Sequence, residues 1–307
     1  MIEFLVKRFF WLLLTLWIVY TFSFFLMWKV APEGANLSER KFPPEIQANL
    51  DRYYGLDKPL IERYFLQFGK ALTLDFGPSM KLMDLHSSQL IRQGLPISIS
   101  LGALALSFAM LLGFSTGIVS ALWRQSLLDV GFRLLATLGI AVPNFVLAGF
   151  AIILFVFILK WFPAAGWGRP IDLVLPALCL AAPFAAYIAR LTRTGMLEVL
   201  GQDYIRTAYA KGLMPRVVVL RHAFRGAILP VVSYLGPATA GILTGSLVLE
   251  RIFFIPGLGT HFIEAITQKD HPVSLAVVMI YTLLLFTMNT LVDLSYGLID
   301  PRVKLNK

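Results

Sequence analysis

The chain has little charge and almost no cysteine. Of its 307 residues, 15% are charged and 57% are hydrophobic, and the mean hydropathy is +0.73. A soluble domain has about 25% charged residues, so this composition excludes an ordinary soluble fold and indicates an integral membrane protein. The one cysteine, Cys179, lies inside an apolar run, which excludes an internal disulfide and leaves the redox compartment open.

The sequence also lacks the patterns of metal and nucleotide sites. Its four histidines are not paired at i, i+4 and have no neighbouring cysteine, so neither a metal site nor a catalytic histidine is predicted. They are His86, His222, His261 and His271. No G-x-x-x-x-G-K-[ST] phosphate loop occurs, so the chain cannot bind ATP in the P-loop manner by itself. Any ATP energy must come through a partner.

One catalytic pattern is present but lies in the wrong context. Residues 113–117 match the G-x-S-x-G pattern of serine hydrolases, with Ser115 at the nucleophile position. The nucleophile elbow needs a strand-to-helix turn and a nearby histidine, whereas this segment lies within an apolar helical run. We therefore predict no catalytic residue, and we interpret the glycine spacings 113/117 and 241/245 as close helix contacts.

Six apolar runs are long enough to cross a hydrocarbon core of about 30 Å. They are residues 9–28, 94–123, 134–159, 173–189, 226–249 and 271–292. The sequence therefore predicts an all-α integral membrane protein with six transmembrane helices, of which the fourth is the shortest. The first run follows Lys7 and Arg8 without a small-x-small cleavage site, so we interpret it as an uncleaved anchor.

The net charge is +9, and the distribution of the basic residues indicates the orientation of the chain in the membrane. No basic face is interleaved with aromatic residues, so nucleic acid is not a predicted partner. Basic residues concentrate near Lys7 and Arg8 and in segment 190–225, whereas few occur in the short loops on the other side. The positive-inside rule then predicts both termini in the cytoplasm and segment 31–93 outside.

We expect four parts along the chain. They are an anchor helix at 1–30, an extracytoplasmic insert at 31–93, a membrane core of five helices at 94–300 and a cytoplasmic tail at 301–307. Within the insert, stretches 45–54 and 60–72 place apolar residues at helical spacing between turn formers. A small folded cap is predicted there.

Segment 203–230 is polar and basic between two apolar runs. We expect Asp203 to cap a helix that ends at Gly212, with Pro215 preceding a second, arginine-rich helix. Small residues such as Ala208 suit a helix that enters a groove of a soluble partner. The alternative is a basic amphipathic helix that lies on anionic lipid, for which this segment offers poor apolar anchors.

The loop at 250–270 contains a Pro-Gly-x-Gly turn in apolar surroundings. Such a chain dips into the membrane and returns only where protein or water covers it, so we expect Pro256, Gly257, Leu258 and Gly259 at the outer mouth of a pathway.

Some polar residues in or beside the apolar runs are candidates for a function. Asn144, Ser233 and Asn289 are candidates for lining a path, although interhelical hydrogen bonds are the plainer interpretation. For Asp293 we favour a structural ion pair or hydrogen bond over a proton relay.

The 203–230 segment and several other motifs resemble the permeases of binding-protein-dependent ABC importers. The motifs are DYIRTAxAKGL at 203–213, LRHA at 220–223, LP at 229–230, YGLDKP at 54–59, DFGPS at 75–79, PGLG at 256–259 and LIDPR at 298–302. The pattern is most similar to the B-type subunit of oligopeptide permeases, with dipeptide and nickel permeases as near relatives. The glutamate that is usual in the family's coupling loop is absent, and Arg206, Thr207 and Ala208 occupy that region.

The resemblance implies the type I ABC importer permease fold, with loop 197–225 as the cytoplasmic coupling loop. It implies a bacterial inner membrane location, a second homologous permease subunit, two P-loop ATPase subunits that hold ATP and Mg, an extracytoplasmic peptide-binding protein and a peptide substrate. The residues it assigns to ATPase coupling are Asp203, Tyr204, Ile205, Arg206, Thr207, Ala208, Ala210, Lys211, Gly212 and Leu213. This subunit itself would not be an enzyme.

Two other functions stay open at this point. One is a permease for dipeptides, nickel chelates or another small solute. The other is a proton-driven secondary transporter, which needs a relay of intramembrane acids and no ATPase subunits.

Overall fold

The computed structural model describes residues 2–30, 44–81 and 85–299, and these ranges fold almost wholly into helices. In chain order the helices are α1 (Ile2–Val30), α2 (Pro44–Tyr54), α3 (Leu60–Ala71), α4 (Ser87–Leu122), α5 (Leu127–Ala141), α6 (Asn144–Ala151), α7 (Pro170–Leu200), α8 (Asp203–Ala210), α9 (Pro215–Val217), α10 (Phe224–Ala227), α11 (Leu229–Ile252), α12 (Leu258–Thr267) and α13 (His271–Ile299). π-Helical turns at Ile152–Ile158 and Val218–Ala223 continue α6 and α9. Within the described ranges the only β-type pairing is an isolated bridge, so the predicted all-α class is confirmed.

Five helices are long and apolar enough to cross a membrane as single elements. They are α1, α4, α7, α11 and α13. The third predicted span, at 134–159, is instead divided between α5 and α6, which meet at 111°. The third predicted span is therefore bent, and if the bent pair is one span the number of spans is the predicted six.

The break in the third span lies at Val142 and Pro143. Val142 is extended, with φ −91° and ψ 125°, because the following proline ring clashes with a helical conformation at the preceding residue. Pro143 then forms the N-cap of α6. Hydropathy alone could not locate this bend, since both halves are equally apolar.

The prediction that the fourth span is the shortest is wrong. Helix α7 has 31 residues, and it continues through Arg190 and Arg193 to Leu200. An apolar run marks only the part of a helix that lies in hydrocarbon, and the helix itself continues for as long as its backbone and packing allow. The extension carries two arginines towards α8.

Glycines let α4 and α7 approach closely. A Cβ at Gly113 would lie 2.6 Å from Cγ2 of Ile188, and one at Gly117 would lie 2.7 Å from the carbonyl oxygen of Ala189. The second glycine pair, at 241 and 245, likewise contacts side chains of α6 and α7. The predicted packing role of both small-residue spacings is confirmed.

The two predicted helices of the cap are present as α2 and α3, at one end of the bundle. Tyr64 of α3 packs among Tyr20 and Phe24 of α1, and its hydroxyl accepts a hydrogen bond from the indole N–H of Trp17 at 3.1 Å. Asp270 is buried just before α13. Its carboxylate accepts hydrogen bonds from the hydroxyl of Ser79 and the backbone N–H of Met80, in the cap segment that precedes α4. The cap is therefore fixed to the first and last spans.

Helix α8 lies at the other end of the bundle. The ends of α4 and α7 form a small apolar cluster there with α8 and the π-helical turn that follows α9. Helix α4 begins at Ser87, within the predicted 31–93 insert. The predicted 301–307 tail lies outside the described residues.

Candidate docking helix and buried turn

Helix α8 is set off from α7 by a two-residue turn. Gln202 is its N-cap residue, so Asp203 occupies the first helical position and the prediction that Asp203 caps the helix is wrong. Its carboxylate is exposed and lies 3.6 Å from the guanidinium of Arg206. The predicted end is confirmed: Lys211 is the C-cap, and Gly212 follows with a left-handed φ of 76°, which favours glycine.

Two residues of α8 face this chain rather than solvent. Ile205 and Ala208 are buried against Met196 of α7 and against Val218 and Ala223 beyond α9. Sequence analysis assigned both residues to the docking set. Because they are buried, these two side chains attach α8 to the rest of the chain and do not form part of its exposed face.

The outer face of α8 is a mixed aromatic and basic surface. Its exposed members, together with the turn that follows, are Asp203, Tyr204, Arg206, Thr207, Tyr209, Ala210, Lys211, Gly212, Leu213 and Met214. Met214 is 69% exposed and Tyr204 is 50% exposed, which is unusual for large apolar side chains at a membrane surface that touches only water. We call this set the α8 face. It has the aromatic, basic and apolar composition of a protein contact surface.

The segment that follows α8 packs closely against the membrane helices. The ring of Phe224 in α10 meets Phe114 of α4 edge-on at 5.2 Å, and a Cβ at Gly195 of α7 would lie 2.6 Å from the carbonyl oxygen of Ala227. Close contacts of this kind transmit displacement because packed interiors deform little. Helix α8 therefore connects to α4 and α7 through its own apolar cluster and through the neighbouring α10.

The Pro-Gly-x-Gly turn at the opposite end is buried within this chain. Pro256 is exposed, but Gly257, Leu258 and Gly259 are buried, so the turn packs against α4 and α11. Helix α12 starts at Leu258, whose backbone N–H donates to Oγ of Ser98 at 2.9 Å. A pathway mouth formed by these four residues stays a prediction.

A buried carboxylate holds this turn. Oε2 of Glu250, near the end of α11, accepts a hydrogen bond from the backbone N–H of Gly259 at 2.7 Å, and Glu250 has no exposed surface. A Cβ at Gly257 would lie 2.3 Å from the same oxygen, so only glycine fits there. Glu250 is not among the residues predicted from the sequence. Its position after an apolar helix and before two glycines is the signal that could have identified it, because their backbone N–H groups can reach a carboxylate.

Glu250 also faces a second buried polar group. Among the described residues, Oε1 of Glu250 and the hydroxyl of Tyr281 in α13 are buried and make no hydrogen bond of good geometry, with the hydroxyls of Ser98 and Ser246 nearby. Buried polar atoms without protein partners are commonly satisfied by water. The cluster joins α4, α11, α12 and α13 around the turn.

The three path candidates are not brought together. The amide nitrogen of Asn144 lies 3.2 Å from the Cβ position of Gly245, whereas the amide oxygen of Asn289 lies 3.6 Å from that of Gly236. Ser233 is exposed and its hydroxyl donates to a carbonyl of its own helix. Asn144 and Asn289 thus meet α11 at different heights, as expected for interhelical contacts.

Asp293 forms an ion pair with Arg8, which joins the last span to the first. The predicted structural ion pair is confirmed.

Among the histidines, His86 caps α4, and burial lowers the pKa of His261 beside the buried turn. The part of the chain that the structure describes contains no cluster of metal-ligating side chains.

These features define a helical membrane permease with a surface helix at one end and a cap at the other. A family model described as the inner membrane component of binding-protein-dependent transport systems matches residues 113–305. The chain belongs to this family.

Relatives cover the whole chain. It is 46% identical to the dipeptide transport system permease protein DppB of Bacillus subtilis, over 100% of this chain and 99% of that protein. It is 41% identical to the oligopeptide transport system permease protein OppB of Haemophilus influenzae and 39% identical to that of Escherichia coli, in each case over 99% of this chain and 100% of the relative.

A solved structure supports the fold. A chain from an inward-facing form of the MetNI methionine ABC transporter matches with a TM-score of 0.58 at 16% identity, over 69% of this chain and 97% of that chain. At this identity the likeness concerns the fold alone, and it agrees with the predicted type I importer permease architecture.

Proposed function

We propose that this chain is the membrane subunit of an ATP-driven peptide importer and forms half of its translocation pathway. Membership of the binding-protein-dependent family and whole-chain similarity to oligopeptide and dipeptide permeases support the substrate class. The second half would come from a homologous permease subunit, and an extracytoplasmic binding protein would deliver the peptide.

The observation that carries the coupling role is the split of α8 into two faces. Ile205 and Ala208 fix the helix to the ends of α4 and α7, while Tyr204, Tyr209 and Lys211 remain exposed. The exposed face docks on an ATPase subunit, and the buried face passes the displacement to the spans. Two ATPase subunits would hold ATP and Mg, since this sequence contains no phosphate loop.

The proposed orientation places α8 and both termini in the cytoplasm of a bacterium and the α2–α3 cap outside the inner membrane. The concentration of lysine and arginine at the α8 end supports it. With this orientation the ATPases meet α8 and the binding protein meets the cap and α12.

The coupling role can be tested with Ala210→Arg, which places a large charged side chain on the α8 face. Ala210 is exposed at the end of the helix, and arginine is a good helix former, so α8 itself should persist. Ala208→Glu and Gly212→Arg are poorer tests, because the first disturbs a buried contact and the second a left-handed backbone.

The measurement is peptide-stimulated ATP hydrolysis by the reconstituted importer. We expect Ala210→Arg to reduce it at least roughly tenfold, as for loss of a central interface contact. Gln125→Arg, at an exposed position in the turn between α4 and α5 and outside the α8 face, is the matched control and should keep full stimulation. Full stimulation with Ala210→Arg would refute the docking role of this face.

A dipeptide importer is the second candidate, because the relative with 46% identity is a dipeptide permease. Uptake of labelled peptides of graded length by the complete importer separates the two. Uptake confined to dipeptides would favour the second candidate.

A further inference from the structure

Helix α5 bridges the groove between α4 and α7 near the α8 end of the bundle. At its start, Asp129 accepts hydrogen bonds from Ser120 of α4 and Arg193 of α7. Towards its end, a Cβ at Gly139 would lie 3.1 Å from Cβ of Ala186 in α7. Between these two attachments lies a cavity of 630 Å³. That volume falls within the range of sites for small organic ligands.

The cavity combines apolar and hydroxyl side chains with three arginines. Its lining includes Thr116, Ser120, Leu134, Thr137, Ile140 and Thr194, together with Arg133, Arg190 and Arg193. The hydroxyls of Thr116, Thr137 and Thr194 each donate to a carbonyl of their own helix. The ionic groups of the lining are cationic.

The positive charge in the cavity exceeds the nearby negative charge. Asp129 is already bound by Arg193 and lies 3.6 Å from Arg133. Arg190 stacks over the ring of Tyr187 at 4.7 Å, and within the described ranges no carboxylate pairs with it. Two guanidinium charges therefore lack a full carboxylate partner. An anionic group that enters the cavity gains charge-assisted hydrogen bonds from these guanidinium groups.

The wall beside these arginines has the character of a lipid contact. Leu134, Leu135 and Leu138 of α5 are 61%, 65% and 58% exposed, and Leu134 also lines the cavity. A basic pocket between membrane helices, next to an exposed apolar helix face, suits a phosphate with acyl chains attached. A zwitterionic headgroup or peptide fits less well, because its ammonium group would find Asp129 already occupied.

We infer that the cavity beneath α5 binds an anionic phospholipid. The phosphate contacts Arg133 and Arg190, and the acyl chains lie along the leucine face of α5. This site is separate from the α8 face, and the inference does not depend on which solute the importer carries.

The test uses the complete importer purified in mild detergent, with native mass spectrometry to count retained lipids. Phosphatidylglycerol and phosphatidylethanolamine are supplied in equal amounts, and a parallel sample contains phosphatidylglycerol with excess inorganic phosphate. The variant is Arg133→Gln with Arg190→Gln. The matched control is Arg52→Gln with Arg92→Gln, which removes the same charge from exposed positions at the opposite end.

We expect the wild-type protein and the control to retain phosphatidylglycerol preferentially. Each cavity arginine should contribute about fivefold, so the double variant should bind phosphatidylglycerol roughly 25-fold more weakly. Equal retention of both lipids by the wild-type protein would refute the inference, and this comparison needs no variant to fold. Displacement by inorganic phosphate would refute a lipid occupant and indicate a free-anion site. Equal binding by the variant and the control would also refute it.

Discussion

Arg193 and Asp129 join α7 to α5 through two hydrogen bonds, from Nε to Oδ1 at 2.7 Å and from Nη2 to Oδ2 at 2.9 Å. The hydroxyl of Ser120 and the backbone N–H of Gln125 complete the shell of the carboxylate, at 2.5 and 2.9 Å. Asp129 has no exposed surface. A fully satisfied network of this kind fixes where α5 starts and how it crosses its neighbours.

Asp129→Ala should therefore lower the Tm of the purified protein substantially. Removal of one partner leaves the Arg193 guanidinium partly buried without its counter-charge, which is strongly unfavourable. We expect a fall of at least about 5 °C by thermal unfolding in detergent. Asp203→Ala is the control, because its exposed pair with Arg206 should shift Tm by less than about 1 °C. Equal shifts would contradict the structural role of the network.

Glu250 should be needed for its oxygen more than for its charge. Glu250→Ala removes the acceptor for the Gly259 N–H and leaves that buried donor unpaired, at a cost of roughly 1–3 kcal/mol. Glu250→Gln keeps an amide oxygen in nearly the same place. We expect the alanine variant to unfold at a clearly lower temperature than the glutamine variant. If glutamine were as damaging as alanine, the carboxylate charge and not the hydrogen bond would hold the turn.

Local sequence patterns predicted the features that depend on short-range chemistry. The cap helices follow from apolar spacing, the end of α8 from Gly212, and the contact of α4 with α7 from small residues four apart. Each of these is set by a few neighbouring residues. An average over an apolar window is a different kind of evidence, and it failed at Val142 and at the end of α7.

Features that depend on distant partners could not be predicted. The sequence of α8 shows which residues share a face, but not that Ile205 faces Met196, nine positions earlier on another helix. Likewise Arg193 and Asp129 lie 64 positions apart, and only the crossing of α5 over α7 brings them together. Burial of a polar residue is a tertiary property, which is why both Asp129 and Glu250 escaped the sequence analysis.

Gly117 and Gly131 should respond oppositely to alanine. A Cβ at Gly117 would lie 2.7 Å from a backbone oxygen of α7, and backbone cannot move aside as a flexible side chain can. We expect Gly117→Ala to cost roughly 1–3 kcal/mol of unfolding free energy, as for overpacking elsewhere. Gly131 has no heavy atom within 4 Å of its Cβ position, so Gly131→Ala should stabilise α5 by about 0.5–1 kcal/mol. Denaturant unfolding of both variants would reveal whether the signs differ as expected.

Asp270 should make stability fall as pH rises. Burial raises the pKa of this carboxyl, although hydrogen bonds from Ser79 and the Met80 N–H partly oppose the shift. Because the folded state holds this proton to higher pH than the unfolded state does, its stabilisation is fully present below the unfolded pKa of about 3.9 and is lost as pH rises through the folded value. Asp270→Asn keeps an oxygen acceptor without the titration. The Tm of Asp270→Asn should therefore depend less on pH above about pH 4, and the difference in Tm between the variant and the wild-type protein should shift in favour of the variant as pH rises. Parallel Tm curves for the two proteins would show that Asp270 does not titrate in this range.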